Sequence, residues 1–281
     1  MSENNFLVMQ SDFGYVDGAV AAMVGVAMSI NKDLQIFDAT HEIEPYNTWE
    51  ASYRLFQTIG YWKKGTVFLS VVDPGVGTTR RSVAVKTLND TYVITPDNGT
   101  LTHISEFIGI KELRIIDETK YMSEDSSHSY TFCGRDLYAN VAAKLASGLI
   151  RFEEIGEEVP SNSITRLSLG DVVKEDGCVK GCVDILDARF GSIWTNITRD
   201  DFMGLGVDFG DYIEIVIRNA NMLIYSNRAV FGRSFADVHV GEQIVYVNSL
   251  MRMAVAINQG NFARAYSVGT GLQWTIAFKK I

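Results

Sequence analysis

At 281 residues and 47% hydrophobic content, the chain is long enough for one large domain or two smaller ones, each with its own core. A net charge of -9 and a pI near 5.0 leave it without the basic surface of a nucleic-acid binder. Three cysteines, Cys133, Cys178 and Cys182, do not make a disulfide framework, and with no run of 18 apolar residues and no basic leader in "MSENNFLVMQSD" a cytoplasmic protein is expected.

In chain order, Phe6–Met9 predicts a short strand broken by "QSDFGYVDG", and Ala19–Ile30 a helix of small residues. "LQIFDAT" predicts a strand, and "NTWEASYRLFQTIGYW" an amphipathic helix with Asn47 as N-cap and Glu50 placed for a capping box. "TVFLSVVD", "RSVAVKTL" and "TYVITPDNG" are strands, the last two joined through an Asn89-Asp90 turn. A helix from about Gly134 to Gly148 closes this half. Strands alternating with helices indicate a layered, Rossmann-like α/β domain over residues 1–165, in which ligands gather beyond the carboxyl ends of strands. From about residue 172 to 281 the pattern changes to short alternating apolar runs punctuated by Gly and Asn, which predicts a small all-β barrel or sandwich.

Three acidic turns fall at predicted strand ends: "SDFGYVDG" with Asp12 and Asp17, "VVDPGVGTTR" with Asp73 and Arg80, and "TPDNGTLTH" with Asp97 and Asn98. Each alone is ordinary turn chemistry. Together on one rim they can bind sugar hydroxyls, orient water or hold a metal through Asp12, Asp17 and Asp73. The histidines His41, His103, His128 and His239 are scattered, and "GVGTTR" lacks the lysine of a phosphate loop. Cys178 and Cys182 have no second Cys/His pair and read as buried residues rather than ligands. In the second half, "DARFGSIWTN" sets Phe190 and Trp194 beside polar groups, which suits either a flat heterocycle or a barrel core.

"SDFGYVDGAVAAMVGV", "DPGVGTTRRSVAV", "TPDNGTLT", "TFCGRDLYANVAAKLASG", "RFGSIWTNI" and "VNSLMRMAVAINQGNFA" occur in an order that covers nearly the whole chain. As a set they resemble the S-adenosyl-L-methionine (SAM) hydroxide adenosyltransferases, adenosine-forming SAM hydrolases related to the SAM-dependent fluorinase and chlorinase. The resemblance implies an α/β domain followed by a β-barrel, a homotrimer with ligand between subunits, and metal-independent hydrolysis in which SAM is substrate and no cofactor takes part. By position it implies that Asp12 binds the ribose hydroxyls, with Tyr46 near the sugar and Phe132 among the substrate-binding residues. Asp73 and Arg80 match the water-handling pair, and Asp187, Phe190, Ser192 and Trp194 the ligand wall around the methionine portion. Ser249 and Asn258 match the adenine and methionine contact segment.

Two positions depart from the pattern: Cys133 stands where the hydrolases carry histidine, and Ser192 where asparagine is usual. Asp73 stands where the halogenating relatives carry tyrosine. The cysteine motivates an alternative, a SAM or adenosine binding protein with weak or lost turnover. A cation beside Asp73 makes it a weak base, suited to orienting a water while Arg80 stabilises hydroxide-like charge. A helix N-terminus and Arg135 are expected to lower the Cys133 thiol pKa, and His128 in "EDSSHSY" is a second candidate for the missing imidazole.

Overall fold

The computed structural model describes residues 5–123 and 132–281; His128 lies outside them. The chain forms two compact units that divide between Leu167 and Ser168.

The first unit is built on β1 (Phe6–Ser11), β2 (Gln35–Thr40), β3 (Val67–Val71), β4 (Ser82–Thr87), β5 (Tyr92–Pro96), β6 (Ile110–Ile116) and β7 (Gly156–Val159). They form one sheet of order β2-β1-β3-β5-β4-β6-β7. β2, β1, β3 and β5 are parallel, and β4, β6 and β7 join by antiparallel pairing. Alternation along the central strands explains the layering. Leu7, Met9, Leu69 and Val71 face one core with Met23 and Ala27 of α1 (Ala19–Ile30) and with Val141. Val8 and Phe68 face the other, with Leu55 and Ile59 of α2 (Thr48–Ile59). This is the expected layered α/β architecture.

Local chemistry sets the element ends. Asn47 caps α2 by accepting from the Glu50 N–H at 2.9 Å, but the reciprocal half of the predicted capping box does not form. The Asn47 N–H donates to the Glu44 carbonyl instead, and the Glu50 carboxylate accepts from the Glu44 N–H and from the charged Arg54. Asp90, with φ 61°, makes the turn between β4 and β5. The helix expected over 134–148 is two pieces: a π-helical turn, Gly134–Ala139, and an α-helix, Asn140–Ala146. Within the turn the Asp136 carbonyl accepts from the Ser123 N–H at 3.1 Å, outside the helix. Such π turns recur at functional sites.

The second unit comprises β8 (Val173–Glu175), β9 (Cys178–Leu186), β10 (Ile193–Thr198), β11 (Tyr212–Asn219), β12 (Met222–Phe231), β13 (Gln243–Val247), β14 (Arg252–Ile257) and β15 (Gly271–Lys280). The order β10-β14-β13-β12-β11-β15-β9 is closed by pairing of β9 with β10, giving a seven-stranded barrel with β8 added at β9. Val179, Val183, Ile193, Ile197, Met253, Val255 and Phe278 fill its core. Residues at the alternate positions of β9, Cys178 and Cys182, are free and buried outside that core cluster. No helix among the described residues is long and apolar enough to cross a membrane.

Asp184, also on β9, is buried, and burial pushes its carboxyl up to about 6 against the opposing charge of Arg252. The folded state therefore keeps a proton that the unfolded chain, with a carboxyl near 3.9, has already released. Stability from this group is fully present below the unfolded value and is lost as pH rises through about 6. Between pH 4 and pH 7 the wild type should lose on the order of 2–3 kcal/mol relative to Asp184→Asn. Urea unfolding of both proteins at the two pH values measures this, and parallel pH profiles would refute it.

Candidate active site

β1 and β3 are adjacent and parallel, with Ser11 opposite Val71 in register. β2 lies on the other side of β1, so strand order departs in opposite directions from this point, where α/β sheets bind ligands. Asp12 follows β1 and Asp73 follows β3 by two residues. Both line a pocket of about 390 Å³ that also takes in Phe13, Tyr46, Phe132 and Cys133. Five of the predicted residues, Asp12, Tyr46, Asp73, Phe132 and Cys133, thus meet at one rim.

The loop after β3 is made for an ion pair. Val76 N–H returns to the Asp73 carbonyl and Thr78 N–H to the Gly75 carbonyl, a double turn that brings the chain back at Arg80. Gly75 eases the close approach of this turn: a Cβ there would lie 3.3 Å from Arg80 Cγ. Arg80 Nε donates to both carboxylate oxygens of Asp73 at 3.1 and 2.9 Å, and Nη2 donates to Oδ2 at 2.6 Å. The side chains are only 8% and 12% exposed, so this is a desolvated pair rather than a surface bridge. Arg80 Nη1 donates to Ser82 Oγ, which in turn donates to Glu118 and meets the Tyr138 hydroxyl. Burial alone would lower the Arg80 pKa, but the hydrogen bonds and charge of Asp73 hold it above its ordinary value.

Cys133 precedes the π turn at the pocket wall, and Gly134 lets that turn approach β3, since a Cβ would lie 3.0 Å from Val71 Cγ1. The expected lowering of the thiol pKa does not occur. Burial pushes the thiol up, with the Arg80 charge and hydrogen bond opposing, and Arg135 is turned away into a pair with Asp136 at 2.5 Å. Cys133 is therefore a neutral thiol near neutral pH. Asp12 accepts the Tyr46 N–H on Oδ2 at 2.8 Å, and Tyr46 is held in the left-handed region with φ 68°. Phe132 packs edge-on to Phe13 with centroids 5.5 Å apart.

The other two acids of the rim have structural tasks. Asp17 accepts from the Ala19 N–H at 2.9 Å at the start of α1. Asp97 pairs with Arg81 and accepts the Thr165 N–H, while Asn98 donates to the Val72 carbonyl and holds the end of β3. Among the described residues no group of three or more His, Cys, Asp or Glu side chains converges as metal ligands would.

A second pocket, about 820 Å³, lies in the barrel unit and is lined by Asp187, Phe190, Ser192 and Asn258 of the predicted set. Phe190 is 69% exposed, which decides against its being core. The turn that carries it is closed by Asp187 and Ser192 main-chain bonding and by Gly191 at φ 69°, where a Cβ would meet Asn261 at 2.0 Å. Asn258 donates to the carbonyls of Phe235 and Val238. Trp194 is not on the pocket surface; it is buried and donates to the Tyr246 hydroxyl at 3.2 Å, so it supports the wall through Tyr246. Ser249 is exposed on the turn after β13 and does not line the pocket. Sequence reasoning missed Tyr246 and Phe235, which sit in alternating strand and loop contexts with no motif of their own, and Phe13, which was visible inside the "SDFG" turn.

Residues 7–156 match the family model for the SAM hydroxide adenosyltransferase N-terminal domain, and residues 181–275 match that for the C-terminal domain. The chain is 35% identical to a protein of Methanocaldococcus jannaschii named (R)-S-adenosyl-L-methionine hydrolase, over 83% of this chain and 81% of that one. It is 29% identical to a fluorinase of Actinopolyspora mzabensis over 95% of both chains. A crystal structure of an uncharacterized conserved protein from Thermotoga maritima superposes with a TM-score of 0.88 at 35% identity, covering 98% of this chain and all of that one.

Proposed function

The chain belongs to the SAM hydroxide adenosyltransferase family, and from that membership we propose that it hydrolyses S-adenosyl-L-methionine to adenosine and L-methionine. Water attacks the ribose 5′ carbon as the C–S bond breaks. The sulfonium leaves as neutral thioether, so no proton donor and no cofactor are called for. What the protein supplies is an in-line oxygen nucleophile in a confined pocket. The carrying observation is the buried Asp73–Arg80 fork, in which Asp73 lines the pocket and Arg80, itself outside the lining, holds its carboxylate. With Nε and Nη2 engaged, Arg80 fixes the carboxylate, Asp73 orients the water and takes its proton late, and the guanidinium charge stabilises hydroxide-like character. Asp73 stands where the resemblance places tyrosine in the halogenating relatives, which speaks against a halide nucleophile.

Asp12 holds the ribose hydroxyls through the oxygen that does not accept from Tyr46, and Tyr46 and Phe132 flank the sugar. Asp187, Phe190, Ser192 and Asn258 form the wall for adenine and the methionine portion, with Trp194 behind it. Ser249 is assigned to the same contact segment on its sequence position alone. The active unit is a homotrimer in the cytoplasm, with the first unit of one subunit and the barrel unit of its neighbour sharing each ligand. Five of the expected residues line a pocket in the first unit and four line a pocket in the barrel unit, which supports a ligand that draws on both units.

Purified protein should release adenosine and methionine from SAM, unaffected by chelator. Asp73→Asn and Arg80→Ala should each lower kcat by about 100-fold or more while SAM binding stays within a few-fold. Wild-type turnover in either variant, measured by product chromatography, would remove the water site.

The neutral Cys133 thiol is a poorer donor and acceptor than an imidazole. One positioned donor is worth about 2.7–4 kcal/mol at a transition state, and a thiol in weak contact forfeits part of that. Cys133→His should therefore raise kcat and Cys133→Ala should change it little. Abolished turnover in Cys133→Ala, with binding intact, would make the thiol itself a working group.

Mixing Asp73→Asn chains with Phe190→Ala chains should restore activity if sites lie between subunits, since some mixed sites regain both wild-type halves. Analytical ultracentrifugation and activity of the mixture, against each parent alone, test this; no recovery in mixed trimers argues for a site within one chain.

A further inference from the structure

Next to Asp12 lies a side-chain constellation that the proposed hydrolysis does not use. Ser11 Oγ is 2.6 Å from His41 Nδ1, and His41 Nε2 is 3.2 Å from Asp38 Oδ1. The order matches that of a serine nucleophile, its base and an orienting acid. Yet Ser11 and His41 are both fully buried, so no substrate can reach the hydroxyl. The Asp38 end is exposed, but the hydroxyl and the imidazole are sealed and can act only on what they hold.

What it holds is the turn that carries Asp12. Ser11 immediately precedes Asp12, and the Phe13 N–H donates to Ser11 Oγ at 3.3 Å. The main-chain carbonyl of His41 accepts the Gly14 N–H at 2.7 Å. Tyr15 donates its hydroxyl proton to Asp38 Oδ2 at 2.7 Å and packs edge-on to the imidazole. Residues 11, 14 and 15 are thus tied to Asp38 or His41, and residue 13 to Ser11, while the Asp12 carboxylate is left to the pocket and to the Tyr46 N–H. A carboxylate at Asp38 accepts, so Nε2 carries the ring proton and Nδ1 accepts from the Ser11 hydroxyl. Burial lowers the His41 pKa against the opposing pull of Asp38, in keeping with the neutral ring that this pattern requires.

We propose that Asp38, His41 and Ser11 form a brace that aims the Asp12 carboxylate, making His41 a positioning residue for selectivity toward the ribose hydroxyls. The proposal rests on the assignment of Asp12 to those hydroxyls. A vicinal diol needs a carboxylate aligned within a few tenths of an ångström to accept two hydrogen bonds. A turn that can rotate about Asp12 satisfies only one.

The test compares binding of adenosine and 2′,3′-dideoxyadenosine by titration calorimetry, which does not depend on turnover. Asp12→Ala should abolish the preference for adenosine. Ser11→Ala and His41→Phe should reduce that preference by about tenfold, the size of one or two hydrogen bonds, with little change for the dideoxy compound. His41→Asn, whose Oδ1 can accept from Ser11 in place of Nδ1, should recover part of it. If Ser11→Ala weakens both ligands equally or neither, the brace is merely structural and the inference fails, whether or not His41→Phe folds. If Asp12→Ala keeps the preference, the ribose assignment itself is wrong and the brace falls with it.

Discussion

The parallel pairing of β1 with β3 is the constraint from which the first unit's chemistry follows. Ser11 opposite Val71 sets the carboxyl ends of the two strands side by side, so the residues that continue each chain emerge on one rim. Backbone hydrogen bonding fixes this spacing before any side chain acts, and burial of both sheet faces keeps the register from slipping. Asp12 and Asp73 face the same pocket because of it.

On that frame, two acidic side chains are handled by different means. Asp73 is held by a desolvated guanidinium fork, which Ser82, Tyr138 and Glu118 support from behind. Asp12 receives one main-chain donor from Tyr46, and its turn is tied down by neighbours rather than by a cation. The contrast suits the two tasks proposed for them. A group that handles a nucleophilic water needs an adjacent positive charge, whereas one that accepts from neutral hydroxyls needs an unoccupied lone pair in a fixed direction. The barrel contributes by another route: a closed sheet has no free edge among its seven core strands, so its tight turns can be given over to lining a pocket.

Cys133 shows how position and chemistry can separate. The residue stands at the pocket wall beside Arg80, where its sequence context put it, but the surroundings keep it a protonated thiol. Desolvation outweighs the cation, and Arg135, the second expected cation, is occupied by its neighbour Asp136. A helix N-terminus in sequence does not guarantee an exposed anion site in space.

Much of the fold was legible in the sequence because period and turn chemistry are local. Alternating apolar runs, the small-residue helix Ala19–Ile30, the Asn47 cap and the Asp90 turn each depend on residues within a few positions of one another. The ordered motifs likewise marked Asp12, Asp73, Arg80 and Cys133, since glycine and proline shape those turns locally. Sequence did not distinguish the acids that line the pocket from those, Asp17 and Asp97, that accept from the Ala19 N–H or pair with Arg81, because all four sit in similar turns. Nor did it show that Trp194 stands behind the wall while Tyr246 faces the pocket, or that His41 joins Ser11 across 30 residues. Those outcomes depend on which strands become neighbours and which side chains lose water, and only the tertiary structure decides that.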